Sequence, residues 1–273
     1  MDYAEASRTG QYAWKLSIVT VCYNAEDCIE TTIASVLAQT EPVYEYIVVD
    51  GASKDGTYGL VCGYEEAFRE KGIRFAHISE PDEGISDAFN KGIAMATGDL
   101  IGLINANDEL LPETCGLLRQ KWETERADIY YGNCIWVDTL RNREYVSKPK
   151  HDMRKLMYNM ILFHPSTFVT KAAYNQFGVF DTSYKLCMDK ELLYRMYRAG
   201  CSFAYLDESL TRFRAGGVSD TQARAVFEEG NRIPLRYGEP WLKVKCVEYC
   251  KRFRNWAVQT IKDTPLYLYL KKI

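Results

Sequence analysis

IGLINANDELL, residues 101–111, passes from apolar to polar and back within one short stretch, and its reading decides the fold. A run such as Ile101–Ile104, bounded by polar residues, reads as a strand buried on both faces, and such strands belong to parallel sheets covered by helices. Asn105, Ala106, Asn107 and Asp108 then stand where that strand ends. Two readings are open here: an exposed turn capping the helix that begins near Pro112, or a strand edge presenting oxygen ligands to a hard cation.

Outward from this stretch the same plan repeats. LSIVTVCYN (16–24) is a strand ending in polar residues, and a helical pattern fills 26–39. YEYIVVDGASKDGT (44–57) is a strand and a Gly/Asp-rich turn, with a helix to about Lys71; 73–79 is a third strand. In GISDAFNKGIAMATG (84–98), Ile85, Ala88, Phe89 and Ile93 form one helical stripe that Gly98 ends. DLIGLI (99–104) is the fourth strand. Alternating buried strands and helices give an α/β, Rossmann-like, mostly parallel sheet with helices on both faces. Ligands of such sheets bind beyond the carboxyl ends of the strands, where Asn24, Asp50, Glu80 and Asp108 fall. Beyond residue 112 the pattern predicts a hairpin from 127–138 and 143–147, a helix over 152–160, a strand and helix within 164–178, a helix over 188–200, and two short strands in 202–214. The softest boundary lies at 216–219. This divides the chain into 15–219 and a helical, basic-aromatic extension, 220–273.

Composition narrows the function. The 273 residues carry a net charge of −3, but eight Lys/Arg against two Asp/Glu put 241–273 at +6 and the rest of the chain at −9. An acidic body argues against nucleic acid as its partner, and a basic tail suits an anionic surface. Nine scattered cysteines without a C-x-x-C pair suit a reducing compartment, and Cys246 and Cys250 lack the histidine that would complete a zinc set. The N-terminus shows no signal-peptide pattern, and no run approaches the ~20 apolar residues of a membrane span. The expected location is the cytoplasm, with attachment at most to the inner face of a membrane.

Three places can carry chemistry. Asp189 falls within the apolar arc of Met188, Leu192, Leu193, Met196 and Ala199, with Lys190, Glu191 and Arg198 opposite. A buried carboxylate there is either a general base or a structural staple held by an Arg or backbone amides. DGASKDGT (50–57) is either a tight approach for a nucleoside or an ordinary Asp-Gly turn. His164, before Pro165, is a cleft ligand or a satisfied structural histidine.

Taken together, SIVTVCYNAE, IVVDGASKDGT, SEPDEGISDAFNKGIAMATGDLIGLINAND, FHPSTFV and MDKELLYRMYRAG are similar in order and spacing to family 2 glycosyltransferases of the GT-A fold, over about residues 15 to 219. The resemblance implies a nucleotide-sugar donor, UDP- or dTDP-linked, contacted by Thr20, Tyr23, Asn24, Asp50 and Ser53, with Asp82, Asp87 and Lys91 completing the pocket. It places the family's Asp-x-Asp-like element on Ile104 to Asp108, so that Asn105, Ala106 and Asn107 border the donor and Asp108 binds Mg²⁺ or Mn²⁺. It makes Asp189 the base of an inverting hexosyl or N-acetylhexosaminyl transfer to a glycan or lipid-linked glycan. Two positions depart from the family: Asn107 stands for an Asp, and Met188 for a Glu. Those departures favour one rival, a non-catalytic sugar-nucleotide-binding scaffold on the same fold. A second rival, a nucleotidyltransferase, lacks its basic phosphate loop, since CYNAED is acidic. The segment KRFRNWAVQTIKDTPLYLYLKKI, with Trp256, Tyr267 and Tyr269 among cations, suits either an anionic bilayer or a protein contact.

Overall fold

The computed structural model describes residues 14–138, 143–214 and 222–262. At its centre is β1 (Leu16–Cys22), buried along its whole length. Parallel strands flank it: β2 (Glu45–Asp50), with β3 (Arg74–Ser79) beyond, on one side, and β4 (Leu100–Asn105) on the other. The order β3-β2-β1-β4 reverses direction between β1 and β4, and the carboxyl ends there open a crevice by topology alone.

Parallel pairing does not continue past β4. Next comes β8 (Thr167–Thr170), antiparallel, then β6 (Ile129–Asp138), antiparallel to β8 and parallel to β9 (Phe203–Arg214). The short β5 (Glu109–Leu110) closes this edge against β9, and β7 (Arg143–Ser147) forms the expected hairpin arm on β6. The α/β class therefore holds, with a mixed sheet of nine strands among the described residues.

One face of the sheet meets α1 (Ile29–Leu37), α2 (Thr57–Cys62), α3 (Glu65–Glu70) and α5 (Thr114–Thr124) over a core that includes Ile18, Ile33, Tyr46, Phe68, Ile104 and Tyr130. The other carries α4 (Ile85–Met95), whose Ala88, Phe89 and Ile93 are buried as their spacing requires. After β8 come α6 (Lys171–Phe177) and α7 (Met188–Arg198).

Several expected elements change form. The helix predicted to Lys71 breaks at Gly63 into α2 and α3. The helix predicted over 152–160 is only a 3₁₀ turn, Met153–Met157. The two strands predicted in 202–214 are one, because Asp207 and Glu208 sit exposed at a register shift against β6 that absorbs the polar pair without breaking the ladder. The boundary expected at 216–219 lies outside the described residues.

At the amino edge of the sheet the fully buried Glu45 is held from three sides. Its carboxylate accepts from Ser17 Oγ (2.6 Å), Thr97 N (2.5 Å) and Thr97 Oγ1 (3.0 Å), and pairs with Arg74. Gly98 comes so close that a Cβ there would lie 2.4 Å from Ser17 Oγ. Burial pushes the Glu45 carboxyl up, but the bonds from Ser17, Thr97 and Arg74 outweigh it and hold the group below its ordinary value.

The chain divides into two compact units, Met1–Thr221 and Gln222–Ile273. Among its described residues the second holds α8 (Ala223–Arg236) and α9 (Trp241–Lys262), on which Ile233 and Val244 are buried, with the buried Glu248 bonded by Asn231 and Lys245 at 2.8 Å each.

Candidate active site

Three loops meet beyond the carboxyl ends of β1, β2 and β3. The turn after β1 is laced to the turn after β2: Asn24 N donates to Ser53 Oγ and Lys54 N to Asn24 Oδ1, both at 2.8 Å. Asn24 takes a φ of 49°, a left-handed conformation that Asn tolerates better than most residues. Asp50, fully buried, accepts from Ser53 N (3.0 Å), Ser53 Oγ and Ser79 Oγ (2.6 Å), and so fixes this floor. Ser79 belongs to the site and has no motif to announce it; only the β2–β3 register, which pairs it with Asp50, brings it there.

Above this floor lie Gly51, Asp82 and the exposed ring of Tyr23. A Cβ at Gly51 would stand 2.4 Å from Asp82 Oδ2 and 3.4 Å from Tyr23, so glycine is what lets Asp82 and Tyr23 pack directly over the backbone here. Asp82 Oδ1 accepts from Gly84 N (2.8 Å), and Asp87 Oδ2 from Glu83 N (3.1 Å). Lys91 ties the same loop together through Glu80 (2.9 Å), Asp87 (3.4 Å) and Pro81 O (2.7 Å). Asp87 and Lys91 therefore shape the loop, while Asp82 packs over Gly51. Thr20 is a correction to the expected contacts: it is fully buried in the sheet and accepts from Tyr46 Oη at 3.0 Å, because its alternation on β1 points it into the core.

Beyond β4 the polar stretch forms a turn. Asn107 has a φ of 80°, and Thr32 of α1 pins the bend, accepting from Asn107 N (2.9 Å) and donating to Asp108 O (2.8 Å). Thr32, beside the Ile29/Ile33/Val36 stripe, was missed as a site residue because a Thr within an apolar helix face carries no distinct signal. Ala106 packs against the core. Asp108 is 3% exposed, yet among the described residues its carboxylate receives only two long bonds, from Arg214 N (3.3 Å) and Asn105 Nδ2 (3.4 Å). Burial pushes its pKa up to about 7 against those bonds. The neighbouring Asn105 Oδ1 is buried with no hydrogen-bond partner. A desolvated carboxylate beside an orphaned amide oxygen is a hard-oxygen donor set, and it fits a Mg²⁺- or Mn²⁺-type cation.

Asp189 opens α7, and its Oδ1 accepts from Lys190 N (2.7 Å). It lines a cavity of about 20 Å³, room for about one water, with His164, Leu103, Thr167, Val169, Tyr174, Phe180, Leu192 and Leu193. His164 packs beside the stacked rings of Phe89 (5.1 Å) and Phe180 (6.4 Å), and among the described residues its buried Nε2 has no partner. Burial lowers its pKa, the charge of Asp189 opposing, so the imidazole is neutral near pH 7. Asp108 is not in this wall; β4 links the two places, through Leu103 on the cavity and Asn105 on Asp108.

Lys190 and Glu191 are buried, not on an outward face as the helical arc implies, because α7 is packed on both sides. Glu191 is the staple: fully buried, it pairs with Arg195 (3.1 Å), which also donates to Phe177 O and to Val179 O (2.6 Å). That role, one of the two open to Asp189, is filled by its neighbour.

A hard-cation donor set at the carboxyl ends of the strands and a carboxylate lining an apolar cavity beside β4 suit a group-transfer enzyme on a Rossmann-like sheet. The profile described as Glycosyl transferase family 2 matches residues 17–183, and the chain belongs to that family: it is a glycosyltransferase. It is similar to TuaG of Bacillus subtilis, named for teichuronic acid biosynthesis, with 36% identity over 98 residues, 35% of this chain and 38% of that protein. It is also similar to the uncharacterized glycosyltransferase Rv1514c of Mycobacterium tuberculosis, 26% identical over 230 residues, 80% of this chain and 82% of that one. Among solved structures, TarS 1–349 of S. aureus in complex with UDP-GlcNAc superposes with a TM-score of 0.65 at 18% identity, covering 81% of this chain and 66% of that one. The mannosyltransferase PcManGT of Pyrobaculum calidifontis, in complex with GDP-Man and Mn²⁺, gives 0.62 at 16% identity, covering 91% and 75%. The likeness to these structures establishes the GT-A fold.

Proposed function

We propose that the protein transfers a hexosyl or N-acetylhexosaminyl group, with inversion, from a UDP- or dTDP-sugar to a hydroxyl of a glycan or lipid-linked glycan. The observation that carries this reading is the buried, poorly hydrogen-bonded Asp108 beside the orphaned oxygen of Asn105, next to the switch point between β1 and β4. Asp108 and Asn105 would hold Mg²⁺ or Mn²⁺, which supplies charge stabilisation for the departing nucleoside diphosphate. Asn107 supplies the bend that aims this pair. The surface formed by Tyr23, Gly51 and Asp82 takes the base, with Asn24, Asp50 and Ser53 fixing its floor. Asp189 takes the proton of the acceptor hydroxyl at a carboxylate oxygen as that hydroxyl attacks the anomeric carbon from the face opposite the nucleotide. Neutral His164 holds no competing positive charge against it. The apolar walls of Leu103, Leu192 and Phe180 limit water around the base.

The name of TuaG supports polysaccharide biosynthesis as the setting. No described helix is long and apolar enough to cross a membrane. Attachment to an anionic membrane surface through 241–273 is supported by α9, where Leu242, Tyr249, Phe253 and Trp256 are each more than 60% exposed along one stripe, amid Lys243, Lys245, Arg252 and Arg254. Tyr267 and Tyr269 lie outside the described residues. Sedimentation with anionic liposomes at low salt tests this, and no binding there removes it.

A screen of nucleotide sugars by thermal shift, with and without Mn²⁺, tests the donor assignment: one UDP- or dTDP-linked compound raises the Tm in a metal-dependent manner. Product configuration, read by NMR of the new glycosidic linkage, tests inversion.

A further inference from the structure

Away from the crevice, on the helical face beyond β3, three potential metal ligands of different chemistry converge. The ligating atoms of Cys62 (end of α2), Glu65 (start of α3) and His77 (β3) all lie within 4.8 Å of one another, and this is the one such group among the described residues. Glu65 Oε1 is 2.9 Å from His77 Nε2. Ligands about 2.0–2.3 Å from a tetrahedral zinc lie roughly 3.3–3.8 Å apart, so small rotamer shifts close this set. We propose that Cys62, Glu65 and His77 form a site for a zinc-type divalent cation, separate from the hard-oxygen site at Asp108.

The surroundings of His77 already have the form such a ligand needs. Metal-bound histidines hold their second ring nitrogen in a hydrogen bond that fixes ring orientation. Here Nδ1 is 3.0 Å from Tyr58 Oη, and the ring lies against those of Tyr58 (5.5 Å) and Phe75 (5.1 Å). Nδ1 faces the Tyr58 hydroxyl and Nε2 faces Glu65 Oε1. A ring carrying its proton on Nδ1, with the Tyr58 oxygen as acceptor, offers Nε2 to the cation, and the Cys62 thiol loses its proton to solvent as its sulfur bonds the metal, a step that releases one proton. Thiolate, imidazole and one carboxylate, with water in the fourth position, is a set that selects zinc over Mg²⁺ or Mn²⁺. The consequence is mechanical: one cation would tie α2 and α3 to β3, whose Ser79 supports Asp50 in the donor floor.

Calorimetric titration of the dialysed full-length protein with Zn²⁺ tests the site, with Co²⁺ as a spectroscopic substitute. The expected result is one Zn²⁺ per chain, one proton released, and a thiolate-to-cobalt charge-transfer band. Cys62→Ser and His77→Gln each lower the affinity at least ~10-fold, and Glu65→Gln lowers it less. The double variant Cys246→Ser/Cys250→Ser and the crevice variant Asp108→Asn bind as wild type, which separates this site from the exposed thiols and from the proposed donor site. Absence of Zn²⁺ binding by the folded wild type, or undiminished binding in folded Cys62→Ser or His77→Gln, overturns the proposal whether or not transfer activity is found.

Discussion

Glu45 and Asp108 are two buried carboxylates at opposite edges of one sheet, and their surroundings pull them in opposite directions. Glu45 is met by a hydroxyl, a backbone amide, a second hydroxyl and a guanidinium, and stays below its ordinary pKa. Asp108 is met by two bonds of 3.3 Å and 3.4 Å and is pushed up to about 7. A buried charge whose hydrogen bonds are complete holds strands together; one left short of partners is poised to receive a ligand. The amino edge of this sheet is thus built for stability and the carboxyl edge for chemistry.

The largest effect is expected at a third carboxylate, Asp189, which shares its small apolar cavity with His164. Asp189→Asn lowers kcat by ~10²–10⁴-fold with little change in donor KM. Full turnover in that variant would leave Asp108 as the sole functional carboxylate and reassign the base. Asp108→Asn lowers kcat/KM by about 10²-fold or more and abolishes the metal requirement, yet raises the metal-free Tm at pH 8, since it removes a poorly solvated charge. A fall in Tm there would show that Asp108 is a staple like Glu45. Glu45→Gln weakens the bonds from Ser17 and Thr97 and frees the half-exposed Arg74 to solvent, loosening the amino edge at a cost of about 1–2 kcal/mol measured by urea unfolding, and leaves donor KM unchanged in the folded fraction.

The smallest effect is the pH dependence of stability. Asp108 binds its proton more tightly folded than unfolded, so its contribution is full below about pH 4 and is lost as pH rises through about 7, at about 1 kcal/mol per pH unit. Glu45 has the opposite sign: its contribution is present above its unfolded value of 4.5 and is lost as pH falls through its lowered folded value. Urea unfolding of metal-free protein from about pH 2.5 to 8 checks both: Asp108→Asn flattens the decline toward pH 7, and Glu45→Gln flattens the acid limb below 4.5.

Much of this contrast was legible in the sequence, for identifiable reasons. Buried strands such as LSIVTVC and LIGLIN carry no charged residue, so the parallel half of the sheet and its carboxyl rim followed from pattern alone. The second half did not, because β8 has only four residues and β9 carries Asp207 and Glu208 at a bulge, where period-two patterning fails. Asp108 and Asp189 were marked by position and by resemblance. Their partners were not: Thr32, Ser79 and Arg214 reach the site across tens of residues, through register and helix packing that no local motif encodes. The same holds for Glu191, which helical periodicity put on an outward face and which tertiary packing buried against Arg195.

The most direct test of the central claim is the pH dependence of Mn²⁺ affinity in the presence of UDP or dTDP, compared among wild type, Asp108→Asn and Glu45→Gln. The account predicts affinity that rises with pH and levels off above about pH 7 in wild type and Glu45→Gln, and that is weak at every pH in Asp108→Asn. Metal and nucleotide binding in Asp108→Asn equal to wild type would contradict it.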